Sequence, residues 1–256
     1  MIEFFFKISC CLGLFALIGC QQTNQTSVEE KVPEVIRDST TQVDQIELNE
    51  PEPVDPLEGA MIAAGLVNIQ SLDTAILVDL KYSTTDNFVG VDVYGDLESA
   101  YLQPDVAKKL VIAQKLLRED HPDHHLLIYD AARPLRVQQI LWDTLDKPHN
   151  IKHFYVANPE EGSIHNFGSA VDLTIANAQK KALDMGTGYD FFGELAYPSK
   201  EQELLASGQL TKQQIANREI LRSVMQRAGF TPITTEWWHF NAMSRARAAE
   251  TYEIIE

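Results

Sequence analysis

Apolar side chains recur every three or four residues in several segments of the chain, which is the spacing of one face of an α-helix. The segment PDVAKKLVIAQKLLRED begins with Pro104 and carries the apolar positions Val106, Leu110, Val111 and Leu117. The segment RPLRVQQILWDTL also has a proline in its first turn. Because proline is favoured in the first turn of a helix, the pattern predicts one helix from each segment.

Shorter runs rich in apolar and β-branched residues predict strands. They are ILVDL at 76–80, HLLIYD at 125–130 and AVDLTI at 170–175, followed near the C-terminus by FTPITTEWWHF at 230–240. Strands and helices alternate only loosely along the chain. The order therefore favours an α+β fold with an antiparallel or mixed central sheet and flanking helices over a doubly wound sheet.

Two capping boxes predict helices in the last third of the chain. Ser199 with Gln202 would begin a short helix, and Thr211 with Gln214 would begin a longer one. Gly229 is expected to end the longer helix. The side chains expected on its buried face are Ile215, Leu221, Val224 and Met225.

The first twenty residues differ from the rest. An apolar run follows Lys7 and is too short to span a bilayer comfortably, which is typical of a secretory signal peptide over residues 1–20. The run ends in Leu-Ile-Gly-Cys, which resembles the bacterial lipobox, so lipidation of Cys20 is expected. An ordinary signal peptide with a chance cysteine is the alternative. The expected location is the cell envelope, on the periplasmic face of the outer membrane if the host is Gram-negative, since Gln21 follows the cysteine.

Residues 21–58 are rich in Gln, Thr, Glu, Asp and Pro and contain no aromatic residue. Such a segment buries too little apolar surface to offset the entropy lost on ordering, so a disordered acidic tether is predicted. A partly ordered arm at its C-terminal end is the alternative. The folded domain is then expected over residues 59–256.

The composition limits the chemistry of that domain. The net charge of −16 argues against a nucleic-acid partner, which would require an excess of lysine and arginine. All three cysteines, Cys10, Cys11 and Cys20, lie in the leader. The domain can therefore form no disulfide and no thiolate site, and any metal must be held by His, Asp or Glu.

The stretch SIHNFGSAVDLTI, residues 163–175, contains a candidate pair of metal ligands. His165 and Asp172 flank Gly168, and a glycine there would let the chain fold back and bring the two side chains together. Taken alone, the pair is also compatible with a surface histidine and a charge at a strand end.

The stretch TEWWHF, residues 235–240, contains a second candidate pair. His239 lies in an aromatic run that could form a dry wall around a metal, and Glu236 precedes it by three positions. On a regular strand these two side chains would point to opposite faces, so they could meet only if the strand is turned or bulged there. Taken alone, this pair is also compatible with a solvent-facing edge strand.

Taken together, these motifs resemble those of the D-alanyl-D-alanine metallopeptidases: Ser-x-His-x-x-Gly-x-Ala-x-Asp, followed downstream by Glu-x-x-His. Three further blocks resemble the D-Ala-D-Ala dipeptidase branch of that family and occur in the same order. They are DLKYSTTDNF (79–88), YDAARP (129–134) and MGTGYDFF (185–192). The similarity covers roughly residues 70–245, and it implies the fold shared by D,D-peptidases and hedgehog-type domains.

The resemblance implies a role for each matching side chain. His165, Asp172 and His239 would bind one zinc ion per chain, Glu236 would act as general base and acid, and Arg133 would stabilise the oxyanion. The side chains implied to bind the substrate are Ser163 and Asp190, expected at the termini of the dipeptide, and Tyr82, Asn87 and Phe88, which match a pocket-forming block.

Two details qualify these roles. Ala132 stands where the family pattern leads us to expect an aromatic residue, which leaves the fine substrate selectivity open. For Arg133, an ion pair with Asp130 is a structural alternative that we favour less, because the residue lies at a strand-to-helix junction where sites commonly occur.

The expected reaction is hydrolysis of free D-Ala-D-Ala to two D-alanines, in the turnover of cell-wall dipeptides. One alternative is a D,D-carboxypeptidase or endopeptidase acting on peptidoglycan stem peptides, and another is a non-catalytic zinc-bearing binding module. Asp190 favours the dipeptidase, because a carboxylate aimed at a free ammonium requires the amino end of the substrate inside the site. We interpret five further histidines as ordinary surface residues: His121, His124, His125, His149 and His153.

Overall fold

The structure, a computed structural model, describes residues 55–256. The predicted signal peptide, the lipidation site Cys20 and most of the predicted tether lie outside these residues. The last residues of the predicted tether are helical, because the first helix begins at Pro56 and the Asp55 carboxylate accepts hydrogen bonds from the next turn. Across the described part of the chain, every helix is too short or too polar to cross a membrane.

Eight α-helices occur among the described residues: α1 (Pro56–Ala63), α2 (Ile69–Leu72), α3 (Pro104–Asp120), α4 (Leu135–Thr144), α5 (His149–Lys152), α6 (Glu201–Ala206), α7 (Lys212–Arg227) and α8 (Arg245–Thr251). The strands are β1 (Val67–Asn68), β2 (Leu77–Val78), β3 (Tyr101–Leu102), β4 (His125–Asp130), β5 (Ala170–Ala176), β6 (Thr231–Pro232) and β7 (His239–Asn241).

Five of these strands form the main sheet, in the order β2-β4-β5-β7-β6. The pair β2–β4 is parallel and the other three pairs are antiparallel. Strands β1 and β3 form a separate antiparallel ribbon. The α+β class with a mixed central sheet, expected from the sequence, is therefore confirmed.

Strand β5 lies at the centre of this sheet, and all seven of its residues are buried. Since successive side chains of a strand point to opposite faces, Asp172 and Thr174 share one face and Val171, Leu173 and Ile175 the other. Helices α3 and α7 pack on each other, α3 contacts β4 and α7 contacts β5. The polar face of β5 is thus the side of the sheet on which a site can be built.

The structure corrects some of the predicted elements. The strand expected at 76–80 is reduced to two residues that pair only with β4, at the edge of the sheet. The capping box at Ser199 is wrong, because its hydroxyl donates to the carbonyl of Thr234 while a 3₁₀ turn leads into α6. The capping box between Thr211 and Gln214 is present at the start of α7.

Candidate active site

Three potential metal ligands converge on the polar face of the sheet. His165 lies in a 3₁₀ turn just before β5, Asp172 lies in β5, and His239 begins β7 directly opposite Asp172 in the strand register. His239 Nδ1 is 2.9 Å from Asp172 Oδ1, and His165 Nε2 is 3.3 Å from His239 Nδ1 and 3.5 Å from Asp172 Oδ2. One ligand atom from each lies within 4.8 Å of the others, and no other group of three or more His, Cys, Asp or Glu in the described part of the chain does so.

Gly168 makes the turn between His165 and β5 possible. Its φ is +62°, in the left-handed region that residues with a Cβ adopt only at a cost. Its N–H donates to the carbonyl of His165. A Cβ added here would lie 3.0 Å from Leu66 Cδ2 and 3.3 Å from the backbone nitrogen of Gln103. The turn therefore requires glycine for both its conformation and its packing.

Outer hydrogen bonds orient both imidazoles toward the centre of the cluster. His165 Nδ1 lies 2.7 Å from the carbonyl oxygen of Ala131, and His239 Nε2 lies 2.9 Å from Asn241 Oδ1. Because both partners are acceptors, each of these ring nitrogens carries the hydrogen when the ring is neutral. His165 Nε2 and His239 Nδ1 are then left with lone pairs that face Asp172.

Electrostatics keep the third ligand ionised. Burial alone would raise the pKa of Asp172, but the charge and hydrogen bonds of His165 and His239 hold it well below its usual range. Burial tends to lower the pKa of His239, yet its hydrogen bond to Asp172 raises that pKa to about 9. Tyr189 also donates its hydroxyl to Asp172 Oδ2, over 3.0 Å. Two imidazole nitrogens and a carboxylate oxygen form the donor set that zinc takes at catalytic sites, so these residues fit a zinc ion.

Glu236 lies next to this cluster, beyond hydrogen-bonding distance of His239. It lies in the irregular segment between β6 and β7, so the strand predicted through this segment is interrupted there. This break lets Glu236 and His239 share a side, with Glu236 Oε2 4.0 Å from His239 Nδ1. The Glu236 side chain is about one-third exposed, at 34%. Burial raises the pKa of its carboxyl above the usual value.

Arg133 is both ion-paired and part of the site. Its Nε donates to Asp130 Oδ2 over 2.9 Å, Nη2 donates to the same oxygen, and Nη1 donates to Gln138 Oε1 over 3.0 Å. The ion pair with Asp130, which the sequence led us to favour less, is therefore present. Three of the five N–H groups are engaged in these bonds, which leaves one on each Nη for a ligand. The helix that was predicted to start at Arg133 begins two residues later, at Leu135.

The side chains of Asp190 and Tyr82 meet at the same pocket. Tyr82 donates its hydroxyl to Asp190 Oδ2 over 3.0 Å. Burial, together with the nearby charge of Asp172, raises the pKa of Asp190 well above its usual value. Asp190 also adopts a φ of +55°, which is uncommon for a residue with a side chain. A cationic group that enters the pocket beside Asp190 would favour the ionised carboxylate and form an ion pair with it.

The pocket in front of the cluster is small, with a volume of about 240 Å³. Of the predicted site residues it is lined by Tyr82, Phe88, Arg133, Ser163, His165, Asp172, Asp190, Glu236 and His239. Asn87 does not line it, and its part in substrate binding stays a prediction. Its amide instead holds its own loop together by donating to the carbonyls of Lys81, Thr84 and Val91.

Several residues of the site were not identified from the sequence as functional. Asp130 lies at the end of β4 and binds Arg133, while Tyr189 and Asn241 form hydrogen bonds to two of the three potential metal ligands. Tyr189 directly precedes Asp190 within a block already singled out, so its place in the motif was the available signal. His153, interpreted as an ordinary surface histidine, lines the pocket.

Comparisons with known proteins point to one family of peptidases. A family model described as D-ala-D-ala dipeptidase matches residues 62–255. A D-alanyl-D-alanine dipeptidase of Escherichia coli K12 is 32% identical over 68% of this chain and 83% of its own length. Proteins of the same name from Enterococcus faecium and Synechocystis are 29% and 28% identical, over 63% and 60% of this chain and 83% and 73% of their own lengths.

Proposed function

The chain belongs to the D-Ala-D-Ala dipeptidase family of peptidases, and from this premise we propose that it hydrolyses free D-Ala-D-Ala to two molecules of D-alanine. The observation that carries the proposal is the joint position of His165, Asp172 and His239 beside Glu236, at a small pocket that also contains Asp190. A non-catalytic zinc module would need neither Glu236 nor the free N–H groups of Arg133. We also propose that this reaction serves the turnover of dipeptides released from the cell wall.

One zinc ion is proposed as the cofactor, held by His165 Nε2, His239 Nδ1 and a carboxylate oxygen of Asp172. When bound, zinc supplies a Lewis acid that polarises the scissile carbonyl and makes a water molecule more acidic. The hydrogen bonds from His165 to Ala131 and from His239 to Asn241 support this assignment, because they fix both rings with a lone pair toward the common centre.

Glu236 is proposed as the general base and acid. Its carboxylate takes a proton from the attacking water and returns it to the nitrogen of the leaving D-alanine, so the residue ends the cycle as it began. Its raised pKa suits both steps, since a pKa closer to neutrality makes the carboxylate a stronger base towards the water and lets the carboxyl hold that proton until the leaving nitrogen takes it.

Arg133 is proposed to stabilise the negative charge that develops on the carbonyl oxygen. The ion pair with Asp130 fixes the guanidinium plane, and each Nη keeps an N–H for the oxyanion. A donor that is already oriented needs no reorganisation when the charge appears.

Asp190 is proposed to bind the ammonium group of the substrate. Burial and the nearby charge of Asp172 raise its pKa, so ionising the carboxyl costs free energy. A substrate ammonium beside the carboxylate would offset that cost. A substrate whose amino end is blocked would leave the carboxylate without this partner. The site therefore favours a free dipeptide over an internal segment of a longer peptide.

The activity is tested by measuring release of free alanine, of either configuration, from D-Ala-D-Ala, N-acetyl-D-Ala-D-Ala and L-Ala-L-Ala by the zinc-loaded protein and by its Glu236→Gln variant. Turnover of the free D,D-dipeptide alone, lost in the variant while bound zinc remains, is the expected result. Equal rates with the free and the N-acetylated peptide would replace the dipeptidase with a D,D-carboxypeptidase or endopeptidase. Loss of zinc in Glu236→Gln would make Glu236 a ligand instead of a base.

The location is proposed from the leader alone. A lipid on Cys20 would hold the domain at the cell envelope, on the periplasmic face of the outer membrane in a Gram-negative host, with the polar segment between Cys20 and helix α1 as a tether. An enzyme placed there meets dipeptides released from the wall and not a cytoplasmic pool. Cys20→Ser should move the protein from the membrane fraction to the soluble fraction, whereas a cytosolic wild-type protein would contradict the proposal.

A further inference from the structure

The segment that carries Asp190 has few bonds of its own to hold it in place. We call residues 185–195 the Asp190 loop; it ends within the 3₁₀ turn Glu194–Ala196. In the described part of the chain, residues 185–192 make no backbone–backbone hydrogen bond. Asp190 nevertheless adopts a left-handed φ of +55°, a conformation that costs free energy and persists only where the surroundings impose it. Side chains from other elements must therefore hold the loop.

Arg218, on helix α7, binds both ends of the Asp190 loop. Its Nε donates to the carbonyl oxygen of Met185 over 2.7 Å, and its Nη2 donates to the carbonyl oxygen of Leu195 over 2.9 Å. These two carbonyls lie five residues before and five residues after Asp190 in the chain. Because the guanidinium is rigid and planar, it fixes the two ends of the loop relative to each other.

The same guanidinium also contacts the segment that carries Glu236. Its Cζ lies 5.9 Å from the ring centroid of Trp237, the residue that follows Glu236. Trp237 in turn donates its Nε1–H to the hydroxyl oxygen of Thr187, within the Asp190 loop, over 2.7 Å. Arg218 therefore lies where the loop of the proposed ammonium ligand meets the segment of the proposed general base.

Arg218 occupies this place although burial of its charge is unfavourable. Its side chain is 0% exposed, and its Nη1 has no hydrogen-bond partner among the described residues. Burial lowers the pKa of the guanidinium, and the charge of Glu201, 3.6 Å from Nη1, opposes this effect. Because a well-packed apolar side chain would avoid the desolvation cost, the bonds to the loop are what an arginine adds at this position.

We propose that Arg218 is a positioning residue of the substrate site, which holds the Asp190 loop so that the Asp190 carboxylate faces the ammonium group of the substrate. This inference rests on the proposed function and goes beyond it, because Arg218 does not line the pocket and acts only through Asp190. Without the guanidinium the ends of the loop are free, and Asp190 can leave its left-handed conformation. Binding then has to restore that position, which weakens it.

The first measurement concerns the loop itself. Arg218→Lys keeps a positive charge beside Glu201 but lacks the planar fork that reaches two carbonyls. Chymotrypsin should cleave the zinc-loaded variant after Phe191 and Phe192 about tenfold faster than the wild type, because cleavage requires the loop to open locally. Cleavage after Phe154, which is exposed in another segment, should be unchanged. Unchanged cleavage of the loop, or an equal increase at Phe154, would overturn the proposal.

The second measurement tests whether Arg218 acts through Asp190. Steady-state release of D-alanine from D-Ala-D-Ala is compared for Arg218→Lys, Asp190→Asn and the double variant. We expect kcat/KM to fall about tenfold in Arg218→Lys, mainly through a higher KM, and about a hundredfold both in Asp190→Asn and in the double variant. A purely structural loss would lower the amount of active enzyme without raising KM. The two effects would then multiply to about a thousandfold, which would overturn the assignment.

Arg222→Lys is the matched control for the substitution. Arg222 lies one turn further along α7, and in the described structure its guanidinium binds the side chains of Glu201 and Glu219. The same substitution there should leave both the cleavage of the loop and the KM unchanged. Equal effects of the two variants would trace the result to a weakened ion pair on α7 and would overturn the role given to the bonds with Met185 and Leu195.

The positioning role and the proposed reaction fail in different ways. If the wild-type protein released no D-alanine, the reaction would fail, and faster cleavage of the loop in Arg218→Lys alone would still show that Arg218 holds it. If turnover were observed but the losses multiplied in the double variant, the reaction would stand and the positioning role of Arg218 would fail.

Discussion

The two oxygens of Asp172 have different neighbours, and this difference fixes the orientation of the carboxylate. Oδ1 lies against His239, whereas Oδ2 accepts the hydroxyl hydrogen of Tyr189. Outer hydrogen bonds of this kind orient a metal ligand and keep it from rotating away when the metal leaves. Tyr189 is therefore a positioning residue in the proposed zinc site and does not itself bind the metal.

Replacing this hydroxyl tests its role. Tyr189→Phe should weaken zinc binding by about tenfold to a hundredfold, which is the usual effect of removing an outer hydrogen bond from a metal site. Competition with a chromophoric chelator measures the affinity. Tyr252→Phe removes a tyrosine hydroxyl bound to an exposed aspartate, Asp105, and should leave zinc affinity unchanged. Equal zinc affinities for wild type and Tyr189→Phe would show that the hydroxyl does not orient Asp172.

A second prediction concerns the charge of Asp190. Asp190→Asn keeps the size of the side chain but removes the negative charge proposed to bind the substrate ammonium. We expect kcat/KM for D-Ala-D-Ala to fall by about a hundredfold, corresponding to about 2.7 kcal/mol, mainly through a higher KM. Steady-state kinetics of D-alanine release measure both constants.

The matched control for this change is Asp184→Asn, which neutralises an aspartate six residues earlier that does not line the metal pocket. Its kinetics should resemble those of the wild type. An unchanged KM in Asp190→Asn, or an equal increase in Asp184→Asn, would contradict the assignment of Asp190 to the ammonium group.

The sequence identified some of these residues and missed others for a physical reason. His165, Asp172, Glu236 and His239 stand in short motifs with recognisable spacing. Asn241 and Tyr189 act through contacts that form only when distant segments fold together, and their residue types are common in any chain. Asn87 belongs to a recognisable block, but its side chain holds its own loop and does not line the pocket.

At the scale of elements, regular periodicity decided which parts of the fold could be predicted. The long helix α3 and the buried strands β4 and β5 were expected from their apolar patterns and are present. Strands β1 and β3 have two residues each, too few to show a period, and they form because the tertiary fold brings them together. The helices α1 and α8 were also not predicted, although α8 has its own N-terminal cap in Ser244.

The 3₁₀ turn before β5 provides a test at this scale. Gly168→Ala places a Cβ in a left-handed conformation and within 3.0 Å of Leu66 and 3.3 Å of the backbone of Gln103. We expect the free energy of unfolding to fall by about 2 to 4 kcal/mol, the sum of the backbone cost and of overpacking. Urea denaturation of the zinc-free proteins measures it.

Gly208→Ala separates these two contributions. Gly208 has a φ of +73°, similar to that of Gly168, but an added Cβ would have no atom within 4 Å. Only the backbone cost of about 1 kcal/mol is expected there. Equal losses of stability in both variants would show that the neighbours of Gly168 give way and that close packing does not require glycine at this turn.

At the scale of the whole molecule, the candidate site joins segments that are far apart in the chain. His165 and His239 are 74 residues apart, yet their ring nitrogens lie 3.3 Å from each other. A metal that binds all three ligands therefore binds the folded chain and has no comparable site in the unfolded one. Zinc binding and folding are then linked, and the stability of the protein should depend on the concentration of free zinc.

This linkage predicts a thermal shift. At a free zinc concentration of about 100 times Kd, the folded state gains about 2.7 kcal/mol, which raises Tm by about 5 to 10 °C for a domain of this size. Differential scanning calorimetry with zinc and with a chelator measures the shift. His165→Ala should abolish it, whereas His121→Ala, in the polar turn after α3, should leave it intact. Glu236→Gln should also keep the shift, because a general base is not a ligand. A shift that survives His165→Ala would mean that zinc stabilises the protein from another site, and the three-ligand assignment would have to be abandoned.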